Sequence, residues 1–131
     1  MKPVFQNKHG TDDGNCFEAC VASILEIPLE SVPPFVLNNP EDWWDKAVLW
    51  LASREYSGVW LPNDGNHIPK GFHIAGCDRQ MTPHGEIGHV VVTDDGKPIH
   101  CPTHGNHPRI PDGIKEWFLI IPHGWPLAFV P

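Results

Sequence analysis

The alternation of apolar and polar positions divides the chain into a first part with helical spacing and a second part of short strands. In residues 16–27 apolar side chains recur three and four positions apart, as at Val21 and Ile24, and they also occupy most other sides. A helix that is apolar on most sides is buried. Asn15 is a favoured N-cap and Pro28 stops the helix.

A second helix is predicted over residues 40–54. Asn39 is suited to the N-cap, and Pro40 falls at the first helical position, where a missing N–H costs nothing. Four apolar residues then form one stripe along the helix: Trp43, Ala47, Trp50 and Leu51.

After Arg54 the pattern changes to short apolar runs separated by Gly, Pro and Asp. We predict strands at 57–62, 71–76, 87–93, 97–101 and 116–122. Helices followed by strands indicate an α+β fold with a mainly antiparallel sheet. The chain has 131 residues, which predicts one domain spanning residues 1–131.

Composition excludes several partners. The 16 acidic and 9 basic residues give a formal net charge of -7, so nucleic acid is not an expected partner. No apolar run reaches the ~20 residues that span a bilayer, so no membrane partner is expected. The first residues lack the apolar stretch of a signal peptide, which predicts a cytosolic protein whose four cysteines remain thiols.

Cys16 is the candidate nucleophile. A sulfur in the first helical turn faces unpaired backbone N–H groups and the positive end of the helix dipole, so we expect its pKa to fall. The same N–H groups can donate to a developing oxyanion. Taken alone, Cys16 is better explained as a small buried apolar residue than as a nucleophile, and Cys20, one turn further along, is expected in the core.

His89 is the candidate base, on a predicted hairpin. A three-residue loop, Asp94 to Gly96, pairs Thr93 with Lys97 and places His89 opposite Cys101. A two-residue loop would instead place His89 on the side of the sheet that carries His100 and Pro102. The turn residues favour the first register. An ordinary strand histidine remains the alternative.

Three parts of the sequence share a pattern with known proteins: the run DGNCFEACVASILEIPLESVPPF, a later segment with GHVVV, DDGK, an Ile-His pair and Pro102, and a last strand that ends in Pro. Together they resemble a family of small proteins common in phage and bacterial genomes. That family is similar to papain-like cysteine peptidases, including the bacteriocin-processing domains of peptide exporters. The resemblance covers most of the chain. It implies a papain-like layout, and host cytosol as the location if the chain is phage-encoded.

Carried over by position, the resemblance implies that Cys16 is the nucleophile, His89 the general base and Gln6 an oxyanion donor. The family places an Asp before a Pro on the strand after the His. Here that position is Cys101, and a neutral thiol is a weak acceptor that stabilises an imidazolium less than a carboxylate does. Either a Cys-His dyad suffices, or activity has been lost, or one of four other residues supplies the missing group: Asp94, Asp95, His100 and Asn106.

The resulting hypothesis is a cysteine hydrolase that acts on a peptide or protein substrate and needs no cofactor or metal. The departure at Cys101 supports an alternative, a non-catalytic binding or inhibitor protein whose partner is a host protein. A third possibility is zinc, bound by residues drawn from His100, Cys101, His104, His107 and Cys77. The sequence specifies neither the bond that is cleaved nor an oligomeric state.

Overall fold

The computed structural model describes residues 1–8, 14–36, 41–82, 85–103 and 113–131, with the backbone alone at 78–82 and 85–88. It contains two α-helices, α1 (Cys16–Leu25) and α2 (Trp43–Ser53), and a short 3-10 turn at Leu29–Ser31. Five strands follow: β1 (Tyr56–Pro62), β2 (Phe72–Thr82), β3 (Gly85–Asp94), β4 (Lys97–His100) and β5 (Ile114–Pro122). The predicted α+β class is confirmed.

Helix α1 begins at Cys16, as predicted, and ends at Leu25, two residues earlier than predicted. Glu26 ends it, because this residue adopts a left-handed conformation with φ 57° and its N–H bonds to the Ala22 carbonyl. The termination therefore comes from a backbone reversal ahead of Pro28. Cys20 is fully buried, as expected.

Helix α2 begins at Trp43 with Asp42 in the N-cap position, three residues later than the predicted start. Residues 39 and 40, on which that prediction rested, lie outside the described part of the chain. The predicted stripe is confirmed. Ala47 and Leu51 are fully buried, and Trp43 and Trp50 pack against the same core.

The five strands form one sheet in the order β1-β5-β2-β3-β4. Every pairing among the described strands is antiparallel, as predicted. Strands β2, β3 and β4 follow one another as hairpins, and β5 returns to lie between β1 and β2. Strands β2 and β3 are longer than predicted, and His89 lies inside β3.

The two faces of the sheet carry separate cores. The first core packs both helices against one face and includes Phe17, Val21, Leu51, Ile74, Val92 and Phe118. The second core lies on the other face and includes Ala75, Val91, Cys101, Trp117 and Leu119. Because side chains alternate along a strand, His89 belongs to the second face with Val91.

The β3–β4 hairpin corrects the predicted register. Asp94 pairs with Lys97, so the loop has two residues, Asp95 and Gly96, with φ of 50° and 80°. These values define the type I′ turn favoured in hairpins. The register then shifts, because Val92 pairs with His100 and leaves Ile99 as a bulged residue.

Candidate functional site

The Cys16 sulfur lies where the start of α1 meets β3. The backbone N–H groups of Val90 and Phe17 lie close enough to this sulfur to lower its pKa. Val90 is the residue after His89 in β3. It lies two residues from Val92, whose pair with His100 is the one farthest from the hairpin turn. The structure therefore brings Cys16 against the backbone next to His89, although 73 positions separate the two residues in the chain.

The expected fall in the pKa of Cys16 is wrong. Burial, with a further contribution from the nearby Glu18 carboxylate, raises the pKa of Cys16 to about 11. The Val90 and Phe17 N–H groups lower it only in part, because loss of water around a thiolate outweighs two donors here. At neutral pH Cys16 is a protonated thiol, and it needs a base before it can attack.

Glu18 is the residue that the sequence reasoning missed. Its side chain is 2% exposed, and its Oε1 accepts the Val36 N–H at 3.2 Å. Within the described part of the chain, Oε2 has no hydrogen-bond partner. Burial raises the pKa of Glu18, against the opposing effect of neighbouring backbone N–H groups. The sequence feature that could have identified Glu18 is its position three residues after the N-cap Asn15, which is the spacing of a capping box.

His89 and Cys101 are brought together, as the sequence predicted. Cys101 Sγ lies 3.5 Å from His89 Nε2, and both residues are buried. They share the second-core face of the sheet, whereas α1 packs on the first-core face. Cys101 is also close enough to Cys16 to contribute to the rise in the pKa of that thiol, so the Cys101 sulfur lies near both Cys16 and the His89 ring.

All four cysteines lie in the described part of the chain, and all four are thiols. Burial raises the pKa of Cys20 well above its usual range, and Cys16, Cys101 and Cys77 each lie close enough to raise it further. Cys77 pairs with His89 across β2 and β3. Cys20 thus lies close to the other three cysteines, and burial favours the neutral thiols of Cys16 and Cys20.

Gln6 lies at the end of β4. Its backbone N–H donates to the Pro102 carbonyl at 3.3 Å, and its Oε1 accepts the Thr103 hydroxyl at 2.6 Å. Its Nε2 donates to the Lys8 carbonyl at 3.0 Å. The amide is thus bound to Lys8 and Thr103, close in the chain to Cys101.

Asn15 occupies the predicted N-cap position, but its side chain makes no cap hydrogen bond to α1. Its Oδ1 instead accepts the backbone N–H groups of Asn7 and Lys8 at 3.1 and 3.0 Å. Asn15 therefore holds the N-terminal arm beside Cys16, and the first N–H groups of α1 are left for other acceptors.

The four residues that could replace the family's Asp as a partner of His89 differ in where they lie. Asp94 and Asp95 lie at the hairpin turn, about 17 Å along β3 from His89, so neither can orient its ring. His100 Nε2 contacts the Val4 carbonyl at 2.7 Å, on the first-core face. Asn106 lies outside the described residues.

The zinc hypothesis is not supported by the residues that can be assessed. Among the described residues, no group of three His, Cys, Asp or Glu side chains is placed to hold a metal ion. His104 and His107 fall outside that set.

No helix within the described ranges is long and apolar enough to cross a membrane. Comparison of the chain with models of protein families, with curated proteins and with solved structures found no match.

Proposed function

We propose that this protein is a papain-like cysteine hydrolase in which Cys16 is the nucleophile and His89 the general base. The observation that carries the proposal is the meeting of Cys16, at the start of a helix, with the β3 backbone next to His89. A thiol at a helix start and an imidazole on a neighbouring strand are the two groups that acyl transfer by cysteine requires.

The reaction proceeds in two steps. The Cys16 sulfur attacks the substrate carbonyl as its proton passes to His89, and the backbone N–H groups beside the sulfur stabilise the oxyanion. The carbonyl–nitrogen bond breaks, the leaving amine takes the proton from His89, and an acyl thioester remains on Cys16. Water, deprotonated by His89, then attacks the thioester, releases the acid and restores the thiol.

The raised pKa of Cys16 determines the kind of base catalysis. With a pKa of about 11 the thiolate is scarce at neutral pH, so His89 acts during the attack and not by a pre-formed ion pair. This step requires the His89 ring, which contacts Cys101 at rest, to reach the sulfur. Activity should therefore depend strongly on His89.

Acylation by p-nitrophenyl acetate tests the proposal without knowledge of the natural substrate. The ester should release p-nitrophenolate and leave one acetyl group on Cys16, located by mass spectrometry. Cys16→Ser should abolish the rapid phase, and His89→Gln should slow it by about 10²–10⁴-fold. His67→Gln is the matched control, since His67 is exposed and paired with Asp64.

Equal acylation rates for the wild-type protein and for His89→Gln would exclude His89 as the base. Simple preference of an alkylating reagent for Cys16 would not be informative, because the other three cysteines are buried and would react slowly in any case.

The second candidate function is a non-catalytic binding protein on the same layout. It is favoured by the neutral state of Cys16 and by the thiol of Cys101 that contacts His89 in place of a carboxylate. It predicts that Cys16→Ala, with its fold verified by circular dichroism, keeps full biological effect. Loss of effect in a folded Cys16→Ala protein would leave only the hydrolase.

A further inference from the structure

The end of the chain forms a strap, residues 123–131, that crosses one end of the sheet. At its start the His123 N–H donates to the Glu55 carbonyl at 2.8 Å. Near its end the Val130 N–H donates to the Ile68 carbonyl at 2.7 Å. Between these attachments the Lys70 N–H donates to the Ala128 carbonyl at 2.9 Å, and residues 125–128 of the strap form one wall of a cavity.

The cavity exists because β2 and β5 separate at this end. Their pairing stops at Ile74 and Phe118, and the next N–H, that of Ile120, donates at 3.1 Å to the His73 ring instead of to β2 backbone. The same ring contacts the Lys70 carbonyl at 2.9 Å through Nε2. His73 thus connects the two strands through its ring at the point where their backbone pairing ends.

The walls of the cavity are mainly apolar, and its volume is about 490 Å³. Phe72 and Ile120 contribute from the sheet, Ile24 from the end of α1, and Trp125 and Leu127 from the strap. This volume lies within the roughly 300–1,000 Å³ range of small-molecule sites.

Several of the large apolar side chains that line the cavity are exposed to solvent. Trp125 is 71% exposed, and Phe72 and Leu127 are each 39% exposed. A single exposed apolar residue is ordinary, but several that converge on one cavity indicate a binding surface.

Among the described residues that line the cavity, Lys70 supplies the only fixed charge. Within the described part of the chain it has no ion-pair partner. His73, the other basic residue of the lining, is buried, and both of its ring nitrogens are engaged by the backbone. The site therefore combines an apolar interior with one ammonium group.

We propose that the cavity under the strap binds an amphiphilic carboxylate, with its apolar body against β2, β5 and the strap and its carboxylate on Lys70. This inference is independent of the proposed hydrolase, because neither Cys16 nor His89 lines the cavity. Free aliphatic acids and the C terminus of an apolar peptide share this chemistry.

Titration of the ¹⁵N-labelled full chain with octanoate, below its micelle concentration, tests the proposal by NMR. We expect one saturable site, with the largest shifts in the backbone amides of residues 70–73 and 125–128. Octanamide should bind more weakly. A parallel titration with acetyl-Ala-Ala-Leu, as acid and as amide, distinguishes an aliphatic acid from a peptide C terminus as the better ligand.

Two variants locate the ligand. Trp125→Ala removes a wall and should weaken octanoate binding by about tenfold. Lys70→Met should reduce the preference for octanoate over octanamide by about two- to fivefold. This is the change in affinity that an exposed ion pair usually contributes. Leu49→Ala is the matched control, an exposed apolar residue on α2 that does not line the cavity. It should bind like the wild-type protein.

The proposal is wrong if neither acid binds saturably, or if Trp125→Ala and Leu49→Ala change binding equally. It is also wrong if light scattering shows a dimer that Trp125→Ala dissociates, because the exposed walls would then form an interface between two copies.

Discussion

His89 Nε2 and Cys101 Sγ lie 3.5 Å apart on one face of the sheet, although the two-residue turn of their hairpin alone would place them on opposite faces. The bulge at Ile99 restores the match, because one extra residue reverses the alternation of all residues after it. A turn and a bulge together give the contact that one three-residue turn was expected to give. The Cys101 thiol therefore lies against the His89 ring, where the proposed function would need an orienting group.

Cys101→Asp tests whether that position is functional. A carboxylate beside His89 would stabilise the imidazolium formed during attack, and loss of such a group can cost up to about 10⁴ in rate. We expect acylation of Cys16 by p-nitrophenyl acetate to rise at least about tenfold. Cys101→Ser, which keeps the size but adds no charge, should show no increase. If the two variants acylate at the same rate, the position does not orient a base.

Glu18→Gln should lower the pKa of Cys16 from about 11, because it removes the negative charge that adds to the effect of burial. Gln keeps an oxygen that can accept the Val36 N–H, so the local structure should persist. Alkylation of Cys16 by iodoacetamide at pH 9 should quicken by about two- to tenfold, since each unit of pKa changes the thiolate fraction tenfold below the pKa. Glu30→Gln serves as control, and a rate that responds equally to both variants would contradict the assignment to Glu18.

Gly96→Ala should destabilise the protein by about 2–4 kcal/mol. The residue has φ 80°, and an added Cβ would collide with the Ile68 side chain, so conformational strain and overpacking act together. Gly65→Ala is a matched control with φ 79° and open space around the Cβ, and it should cost only about 1 kcal/mol. Urea unfolding measures both. Equal losses would show that the Ile68 contact is relieved at no cost.

Stability should decrease as the solution is acidified through pH 6.5. Burial lowers the pKa of His73 below its usual 6.5, so the unfolded chain takes up a proton at a higher pH than the folded chain does. The contribution is complete above pH 6.5 and is lost as the pH falls toward the folded-state pKa. Urea unfolding between pH 7.5 and 5 should show a smaller loss for His73→Gln than for the wild-type protein. His123→Gln, an exposed control, should behave as wild type.

The sequence by itself determined the element types, because helical spacing and strand alternation are local properties of neighbouring side chains. It placed Cys16 at the first residue of α1, located the five strands and predicted the His89–Cys101 contact. The start of α2 and the hairpin register were wrong at the level of a few residues, because element ends and bulges depend on tertiary pairing.

Only the tertiary structure decided the electrostatics of the site. A helix start alone lowers a thiol pKa, but here burial and the charge of the nearby Glu18 carboxylate together reverse the sign. The cavity under the strap was equally invisible in sequence, since it depends on where two strands stop pairing. Desolvation and strand separation arise from residues distant in the chain, and no local pattern records them.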